Sequence, residues 1–302
     1  MTSPSLPPSY LRYSKRRYGQ DHDRYDWAFQ QRVQTNNIDY KAGMFIVVPL
    51  EKFLLNPKGE PFRAPGSMVT HYPDLRHYTS RDYGNRIGAF RILKILRALD
   101  LKATFAVNAR LLKSVSPLID RIRTDGHEIA AYSLDMDCIH WGELDQNTEK
   151  TWVANTREIF HDCGLNPSTW MSPARQQSNN TLDIIAEHGF TSCLDWEFDC
   201  APKPMQTKGG SVTMLPLLNE LDDRKILIEK RHSETQWKSQ ITEAASYSTS
   251  IASPSTPQCF GITLTPYVAG LPFRISALDA LLEQVRSICE INTADFFSKQ
   301  LT

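Results

Sequence analysis

Short apolar runs separated by amphipathic stretches are the main pattern of this 302-residue chain. The run MFIVVPL at 44–50 is continuous and β-branched, which is typical of a strand covered on both faces. Similar runs predict further strands: KATFAVN (102–108), HEIAAYS (127–133), STWMSPA (168–174), TSCLDW (191–196) and GITLTPY (261–267).

Helical periodicity occupies the segments between these runs. The predicted helices are IGAFRILKILRALDL (87–101), PLIDRIRTDG (117–126), residues 145–162, TLDIIAEHG (181–189) and RISALDALLEQVRSI (274–288). The third of them has Asp145 ahead of it and Thr148 and Glu149 in its first turn, which predicts a capped start. Residues 52–82 and the Ser/Thr/Pro-rich stretch 246–258 are predicted to be loops.

Strands that alternate with helices predict an α/β fold with a parallel sheet, and there are enough units here to curl the sheet into a (β/α) barrel. We expect one barrel domain at residues 41–302. Residues 1–40 are rich in Tyr, Arg, Asp and Pro and have no apolar period, so we expect an N-terminal arm that lies on the barrel or on another subunit.

Charge and cysteine usage narrow the functional classes. Thirty-four basic and 34 acidic residues give no net charge, which disfavours nucleic acid and anionic membranes as partners. Apolar runs fall short of the roughly 20 residues of a membrane-spanning helix, and the polar start has no signal core. The six cysteines lie singly, so we expect reduced thiols. The balanced charge leads us to expect a small-molecule partner, and the lack of a signal core a cytoplasmic protein.

In a barrel of this kind, functional residues follow the strands. The residues in question are Glu51, Asn108, the segment from Tyr132 through Asp135 to His140, Ser172 to Arg175, Asp195 to Asp199, and Thr265.

The order of the motifs at these strand ends resembles the polysaccharide deacetylase (NodB-homology) family, in its allantoinase-like, metal-independent branch. The resemblance rests on YPDLRHYTSRDYGNRIGAFRIL (72–93), LKATFAVNARL (101–111), DGHEIAAYSLDMD (125–137), WMSPARQQSNNTLDIIAEHGF (170–190), LDWEFDCAPKPM (194–205), LPLLNELDD (215–223) and LTPYVAGLPFRISAL (264–278). It implies a distorted (β/α) barrel of the NodB-homology type that hydrolyses a C–N bond.

Metal-dependent members of the family hold a divalent ion with an acid after the first strand and two imidazoles after the third. The acid matches Glu51, whereas Tyr132 and Met136 stand at the imidazole positions. A phenol is a poor neutral zinc ligand and a thioether prefers soft ions, so we expect neither metal nor another cofactor. Thr265 stands where the family carries an acid histidine, and threonine cannot exchange a proton near neutral pH.

Four residues remain as candidates for catalysis, each with a structural alternative. Glu51 is either a general base or the partner of an arginine at the barrel mouth. Tyr132 either donates to a substrate oxygen or fills the former metal pocket with its ring. His140 is the best remaining proton carrier, or a solvated loop residue. Asp199 is a candidate base, and its neighbour Cys200 is expected to be inert.

Further residues are candidates for substrate binding. Arg81 or Arg86 could clamp a carboxylate or imide oxygen, while helix capping is the structural alternative for Asp82 or Asn85. Ser172 and Arg175 are interpreted as substrate-positioning residues, and Asn108, Asp135 and Thr265 complete the predicted mouth. Trp196 is one of several aromatic residues near these loops, which favours a cyclic or aromatic ligand.

Two functional hypotheses follow. The first is a metal-independent enzyme that hydrolyses an amide or cyclic amide, or that has been diverted to a cyclisation or dehydration in a biosynthetic pathway. The second is a catalytically inactive homologue that acts as a ligand-binding or scaffold protein. The arm and the resemblance both lead us to expect a homo-oligomer.

Overall fold

The computed structural model describes residues 39–71, 73–197 and 199–300. Apart from Asp39 and Tyr40, the predicted N-terminal arm lies outside the described residues, so its role stays a prediction.

Helices and strands alternate through the first half of the described chain. This half contains β1 (Ala42–Leu50), α1 (Leu75–Tyr83), a π-helical turn (Gly84–Gly88), α2 (Ala89–Ala98), β2 (Thr104–Val107), a 3-10 segment (Ala109–Val115), α3 (Ser116–Thr124), β3 (Glu128–Ala131), α4 (Gln146–Asp162) and β4 (Thr169–Trp170).

The second half begins with a short 3-10 turn (Pro173–Arg175) and is less regular. It contains α5 (Thr181–Glu187), β5 (Ser192–Cys193), β6 (Lys203–Thr207), β7 (Gly210–Met214), β8 (Leu217–Asp222), a second π-helical segment (Arg224–Glu229), α6 (Glu234–Ile251), β9 (Gln258–Thr263), α7 (Ile275–Val285), β10 (Glu290–Asn292) and α8 (Ala294–Lys299).

One curled sheet connects all of these strands, in the order β6-β7-β5-β4-β3-β2-β1-β9-β8, with β10 beside the first half of β1. The pairings are parallel except for the β6–β7 hairpin. The predicted α/β fold, a distorted (β/α) barrel, is therefore confirmed, with the curl starting at β6 and ending at β8.

Two apolar layers explain why β1 is buried along its whole length. Met44, Ile46 and Val48 pack outward into the core between sheet and helices. Phe45 and Val47 alternate with them and fill the barrel interior. The ring of Phe45 fits because β9 has Gly261 beside it, where a Cβ atom would lie 2.2 Å from the ring.

The predicted loops were wrong in two places. Residues 75–83 form helix α1, which has no buried residue and so no apolar period, and Asp74 caps it by accepting from His77 N at 3.1 Å. The first part of 246–258 belongs to α6, which begins with a capping box formed by Ser233 and Gln236. Within the described residues, no helix is long and apolar enough to cross a membrane.

Candidate functional site

A small cavity of about 60 Å³ opens at the carboxyl ends of the central strands. Its wall includes residues that follow β1, β3, β4, β8 and β9, as expected for a barrel of parallel strands. The polar and sulfur-containing side chains in this wall are Glu51, Tyr132, Met136, Met171, Arg175, Asn219, Asp222, Arg224, Thr263 and Thr265. We call this the main cavity.

Glu51 follows β1 directly and is 6% exposed. Its Oε2 atom is buried and has no hydrogen-bond partner among the described residues. Burial raises the pKa of Glu51 to about 7, although the nearby Arg224 guanidinium and Tyr267 hydroxyl favour the ionised form. A carboxyl group with such a pKa can both accept and return a proton near neutral pH.

Arg224 brings a cation to the same wall, at the start of the π-helical segment that follows β8. Its Nη2 lies 3.6 Å from Asp222 Oδ2, and its buried Nε has no hydrogen-bond partner in the described chain. Burial opposes its charge, but Tyr267, Asp222 and Glu51 together raise the pKa of Arg224 above its usual value. The guanidinium group therefore stays charged.

Tyr267 lies behind Glu51 and Arg224. Its buried hydroxyl lies near enough to influence the pKa of Glu51, yet its geometry gives it no hydrogen-bond partner in the described residues. The Arg81 guanidinium stacks over its ring, 4.4 Å from the centroid. A Cβ atom at Gly66 would lie 2.3 Å from Tyr267 Oη and 3.4 Å from Arg224 Nη1, so the absence of a side chain at 66 makes this packing possible.

A second cavity, also about 60 Å³, lies on the other side of Glu51. Both predicted arginines line it. Arg81 donates through Nε to Gly66 O at 2.8 Å, and Arg86 pairs with Asp82. Their nearness to Glu51 agrees with the prediction that they lie at the mouth, but each already has a partner within the chain.

Tyr132 and Met136 are buried in the wall of the main cavity with Glu51. Burial raises the pKa of Tyr132 well above its ordinary value, so the phenol stays neutral. Thr265 also faces this cavity, and its backbone N donates to Asp223 Oδ2 at 2.8 Å. The structure thus brings these four residues together, and Arg175 joins them as a fifth residue that the sequence singled out.

Arg175 lies across the main cavity, in a strained turn. Ala174 and Arg175 both have left-handed backbones, with φ of 58° and 52°. Non-glycine residues adopt this conformation at a cost, and such residues cluster at functional sites. Arg175 Nη1 donates a hydrogen bond to Leu217 O.

His140 does not reach either cavity. It is fully buried, with Nε2 3.0 Å from Ser133 Oγ and Nδ1 2.9 Å from Glu149 Oε1. Ser178 and Thr181 donate to the same carboxylate, each at 2.6 Å. Since both ring nitrogens are engaged in a closed network, the arrangement argues against the predicted proton carrier and equally against a solvated loop residue.

Three further predicted residues organise loops rather than lining either cavity. Asn108 Oδ1 accepts from Lys52 N at 2.7 Å, and its Nδ2 donates to Tyr132 O, so this side chain connects the end of β1 to the end of β3. The buried Asp135 pairs with Arg110 and accepts from Asp137 N at 2.9 Å. Ser172 N donates to Asp195 Oδ1 at 2.7 Å.

Asp199 and Trp196 also lie outside both cavity walls. Asp199 pairs with Lys203 at 3.5 Å, and the carbonyl of its neighbour Cys200 accepts from Cys259 N near the start of β9. The base predicted at Asp199 is therefore turned toward the amino end of β9, because the chain here enters the unpredicted β6–β7 hairpin. Trp196 packs against the outer core.

A catalytic divalent ion does not fit the donors of the main cavity. Of the two carboxyl groups in its wall, Glu51 is poised to be neutral, and Asp222 is engaged by Arg224, whose backbone N donates to Oδ1 and whose Nη2 lies 3.6 Å from Oδ2. Tyr132 is a neutral phenol, and Met136 and Met171 offer soft thioethers. The fixed charge of Arg224 on the same wall would repel a second cation. Within the described part of the chain, no cluster of three or more histidine, cysteine or acidic side chains is arranged to hold a metal.

Sequence reasoning missed Arg224 and noted Tyr267 only among several aromatic residues near these loops. Arg224 directly follows LPLLNELDD, and Tyr267 lies two residues beyond Thr265. The usable signal was their nearness in the chain to two segments already singled out. The preceding residue, Asp223, is fully buried and accepts from Thr265 N and Ala269 N, so it fixes the turn that carries Tyr267.

Residues 77–193 match the polysaccharide deacetylase family. A curated relative, the uncharacterized protein YlxY of Bacillus subtilis, is 27% identical over 127 residues, which make up 39% of this chain and 38% of the relative. The aligned region is thus well under half of that relative's length.

Solved structures share the fold over most of the chain. A probable polysaccharide deacetylase from Pseudomonas aeruginosa has a TM-score of 0.74 at 18% identity, covering 87% of this chain and 91% of its own. PuuE allantoinase has a TM-score of 0.73 at 18% identity, covering 94% of each chain. A CE4 family pseudoenzyme from Bacillus anthracis has a TM-score of 0.53 at 11% identity, covering 87% of this chain and 66% of its own. These likenesses show the deacetylase-type barrel.

Proposed function

We propose that this protein is a metal-independent enzyme that acts on a C–N bond of a small molecule, with Glu51 as the group that moves the proton. The observation that carries the proposal is the buried Glu51 carboxyl, which has one oxygen without a partner, a pKa raised to about 7 and a place in the walls of two cavities. Perturbed groups of this kind in a cavity are typical of active sites.

In the hydrolytic form of the proposal, the ionised Glu51 accepts a proton from a water molecule while the oxygen of that water attacks an amide carbon. The same carboxyl group returns that proton to the departing nitrogen as the C–N bond breaks, leaving a carboxylic acid and an amine. The neutral Tyr132 phenol and the charged Arg224 lie on the same wall and can stabilise negative charge on the carbonyl oxygen. Cyclisation or dehydration would use the same acid and base without water as a reactant.

Replacement of Glu51 by Gln tests the proposal. Substrates would first be sought by comparing metabolites of cells with and without the protein, and then among cyclic amides and N-acetylated small molecules followed by mass spectrometry. Turnover by Glu51→Gln should fall by about 10²–10⁴-fold, the usual contribution of a positioned acid–base group. Glu220→Gln removes an exposed carboxylate that pairs with Lys225 and Lys230, and should leave the rate unchanged. Full turnover in Glu51→Gln would refute the proposal.

The size of the main cavity favours a second candidate, a ligand-binding or scaffold protein without activity. Ligand pockets commonly enclose about 300–1,000 Å³, whereas Tyr132 and Met136 help to reduce the main cavity to about 60 Å³. Turnover that is absent in the wild type, together with saturable binding of a metabolite, would support this alternative.

A further inference from the structure

Two arginines line the main cavity, and neither forms an ion pair with Glu51 in the described chain. Arg175 projects from the strained turn after β4, and Arg224 from the segment after β8. The ion pairs of Arg224 are with Asp222, at 3.6 Å, and with Glu229, whose Oε1 lies 3.9 Å from Nε. Both distances are too long for a hydrogen bond, so the guanidinium group keeps donors for a ligand.

Unused hydrogen-bonding capacity on this wall is the second observation. Arg224 Nε and Glu51 Oε2 are both buried without a hydrogen-bond partner in the described residues. Leaving such groups unpaired costs about 1–3 kcal/mol each, more when the group is charged. The lining carboxylate Asp222 cannot take up this capacity fully, because its Oδ1 accepts from Arg224 N at 2.8 Å and its Oδ2 lies 3.6 Å from Arg224 Nη2.

We propose that the main cavity binds a carboxylate group of its substrate through Arg175 and Arg224, with the unpaired Oε2 of Glu51 on the same wall. This deepens the proposed function by naming the substrate class, and the assignment rests on that function. Arginine is suited to the task because its planar guanidinium group binds carboxylates through two parallel hydrogen bonds. The substrate is then a small amide that also carries a carboxylate group.

The proposal also accounts for the strain at the Arg175 turn. Two successive left-handed residues without glycine are retained at a position where they aim a cation into the cavity. The hydrogen bond from Arg175 Nη1 to Leu217 O fixes the direction of the guanidinium group and links the β4 turn to the start of β8.

Calorimetric titration of the full-length protein with acetate, and with acetamide as a neutral ligand of matched shape, tests the assignment. Acetate should bind saturably and more tightly than acetamide. Arg224→Met and Arg175→Met should each weaken acetate binding by about tenfold or more, the loss expected for one charge-assisted interaction, with little effect on acetamide. Lys225→Met is the matched control, because Lys225 is adjacent to Arg224 but pairs with the exposed Glu220, and it should bind acetate like the wild type.

Thermal unfolding shows which variants are folded, and Arg175→Met decides the question if Arg224→Met does not fold. Equal binding of acetate and acetamide by the wild type, or unchanged acetate affinity in a folded Arg175→Met variant, would overturn the assignment. The test is independent of turnover. Loss of the acetate site with Glu51-dependent turnover intact removes only the substrate class, whereas a confirmed acetate site with normal turnover in Glu51→Gln removes only the proposed reaction.

Discussion

Glu51 and Glu149 are both buried glutamates, but their surroundings are opposite. Glu149 accepts from His140, Ser178 and Thr181, and these bonds outweigh the effect of burial and lower its pKa. Glu51 is equally enclosed, yet one of its oxygens is unpaired and burial raises its pKa to about 7. A closed polar network is typical of structural support, whereas unmet polar capacity beside a cavity is typical of a site that awaits a ligand.

Removing Glu149 should have the largest effect. Glu149→Ala would leave His140, Ser178 and Thr181 without their shared acceptor in the core, so we expect a loss of about 3–5 kcal/mol in the free energy of unfolding. Denaturant unfolding measures this loss. Glu51→Gln serves as the comparison and should cost less than about 1 kcal/mol near pH 7, since the native carboxyl group is already half protonated there. If both variants lost the same free energy of unfolding, Glu149 and Glu51 could not be divided into a structural residue and a site residue.

Glu51 should make a distinct contribution to the dependence of stability on pH. Its pKa is raised in the folded state, so the neutral form is favoured, and the stability that this contributes at acid pH is lost as pH rises from about 4 through about 7. Arg224, Tyr267, Asp222 and Arg81 face this carboxyl group and set the midpoint.

Across that pH range the wild type should therefore lose up to about 3 kcal/mol relative to Glu51→Gln. Denaturant unfolding at several pH values measures the difference between the two proteins, which cancels contributions from other groups. Parallel curves for wild type and variant would show that Glu51 titrates normally.

Two added histidines could bind a zinc ion together with Glu51, so that its carboxyl group would have a partner, as that of Glu149 has. Tyr132 and Met136 face the same cavity as Glu51, so Tyr132→His with Met136→His should create a zinc site in which the unpaired carboxyl oxygen becomes a ligand. We expect zinc affinity to rise by more than about tenfold, since even outer-shell changes alter metal affinity 10–100-fold.

Competition with a chromogenic zinc chelator measures the change in zinc affinity. Adding Arg224→Met to the double variant should raise affinity again, because the competing cation is removed. Unchanged affinity in the double variant would mean that the two imidazoles do not converge on Glu51.

The smallest expected effect is that of the Tyr267 hydroxyl. Tyr267 favours the ionised form of Glu51, so Tyr267→Phe should raise the pKa of Glu51 further, by a few tenths to about one unit. Stability should hardly change, because the hydroxyl contacts Glu51 without good hydrogen-bond geometry and has no other partner in the described residues. Carboxyl NMR shifts followed against pH measure the change, with Tyr247→Phe at an exposed position as the control. A lowered midpoint would contradict the placement of Tyr267.

The comparison also explains how far the sequence could predict the molecule. Continuous apolar runs and their order predict the curled parallel sheet, and with it the places of Glu51, Tyr132, Arg175 and Thr265 at one end. The apolar pattern does not predict which groups a polar side chain contacts. His140 and Glu149 are nine residues apart in a loop and a helix, and only packing shows that they bond to each other rather than to a ligand.

Irregular segments account for the rest of what the sequence did not predict. Arg224 follows β8, whose register against β9 shifts between Leu217 and Asp222, and it opens a π-helical segment with no simple periodic signature. Asp199 precedes an antiparallel hairpin in a sheet that is otherwise parallel, so its position after an apolar run did not place it at the mouth.

Gly66 gives this site an unusual sequence marker. Its backbone is left-handed, with φ of 83°, and an added methyl group would meet the Tyr267 hydroxyl. Within the loop between β1 and α1, position 66 should therefore tolerate substitution poorly in a mutational scan. Homologues that carry a larger residue there must have rearranged the tyrosine or the neighbouring arginine, so one letter of an alignment would report whether the arrangement around Glu51 has been inherited.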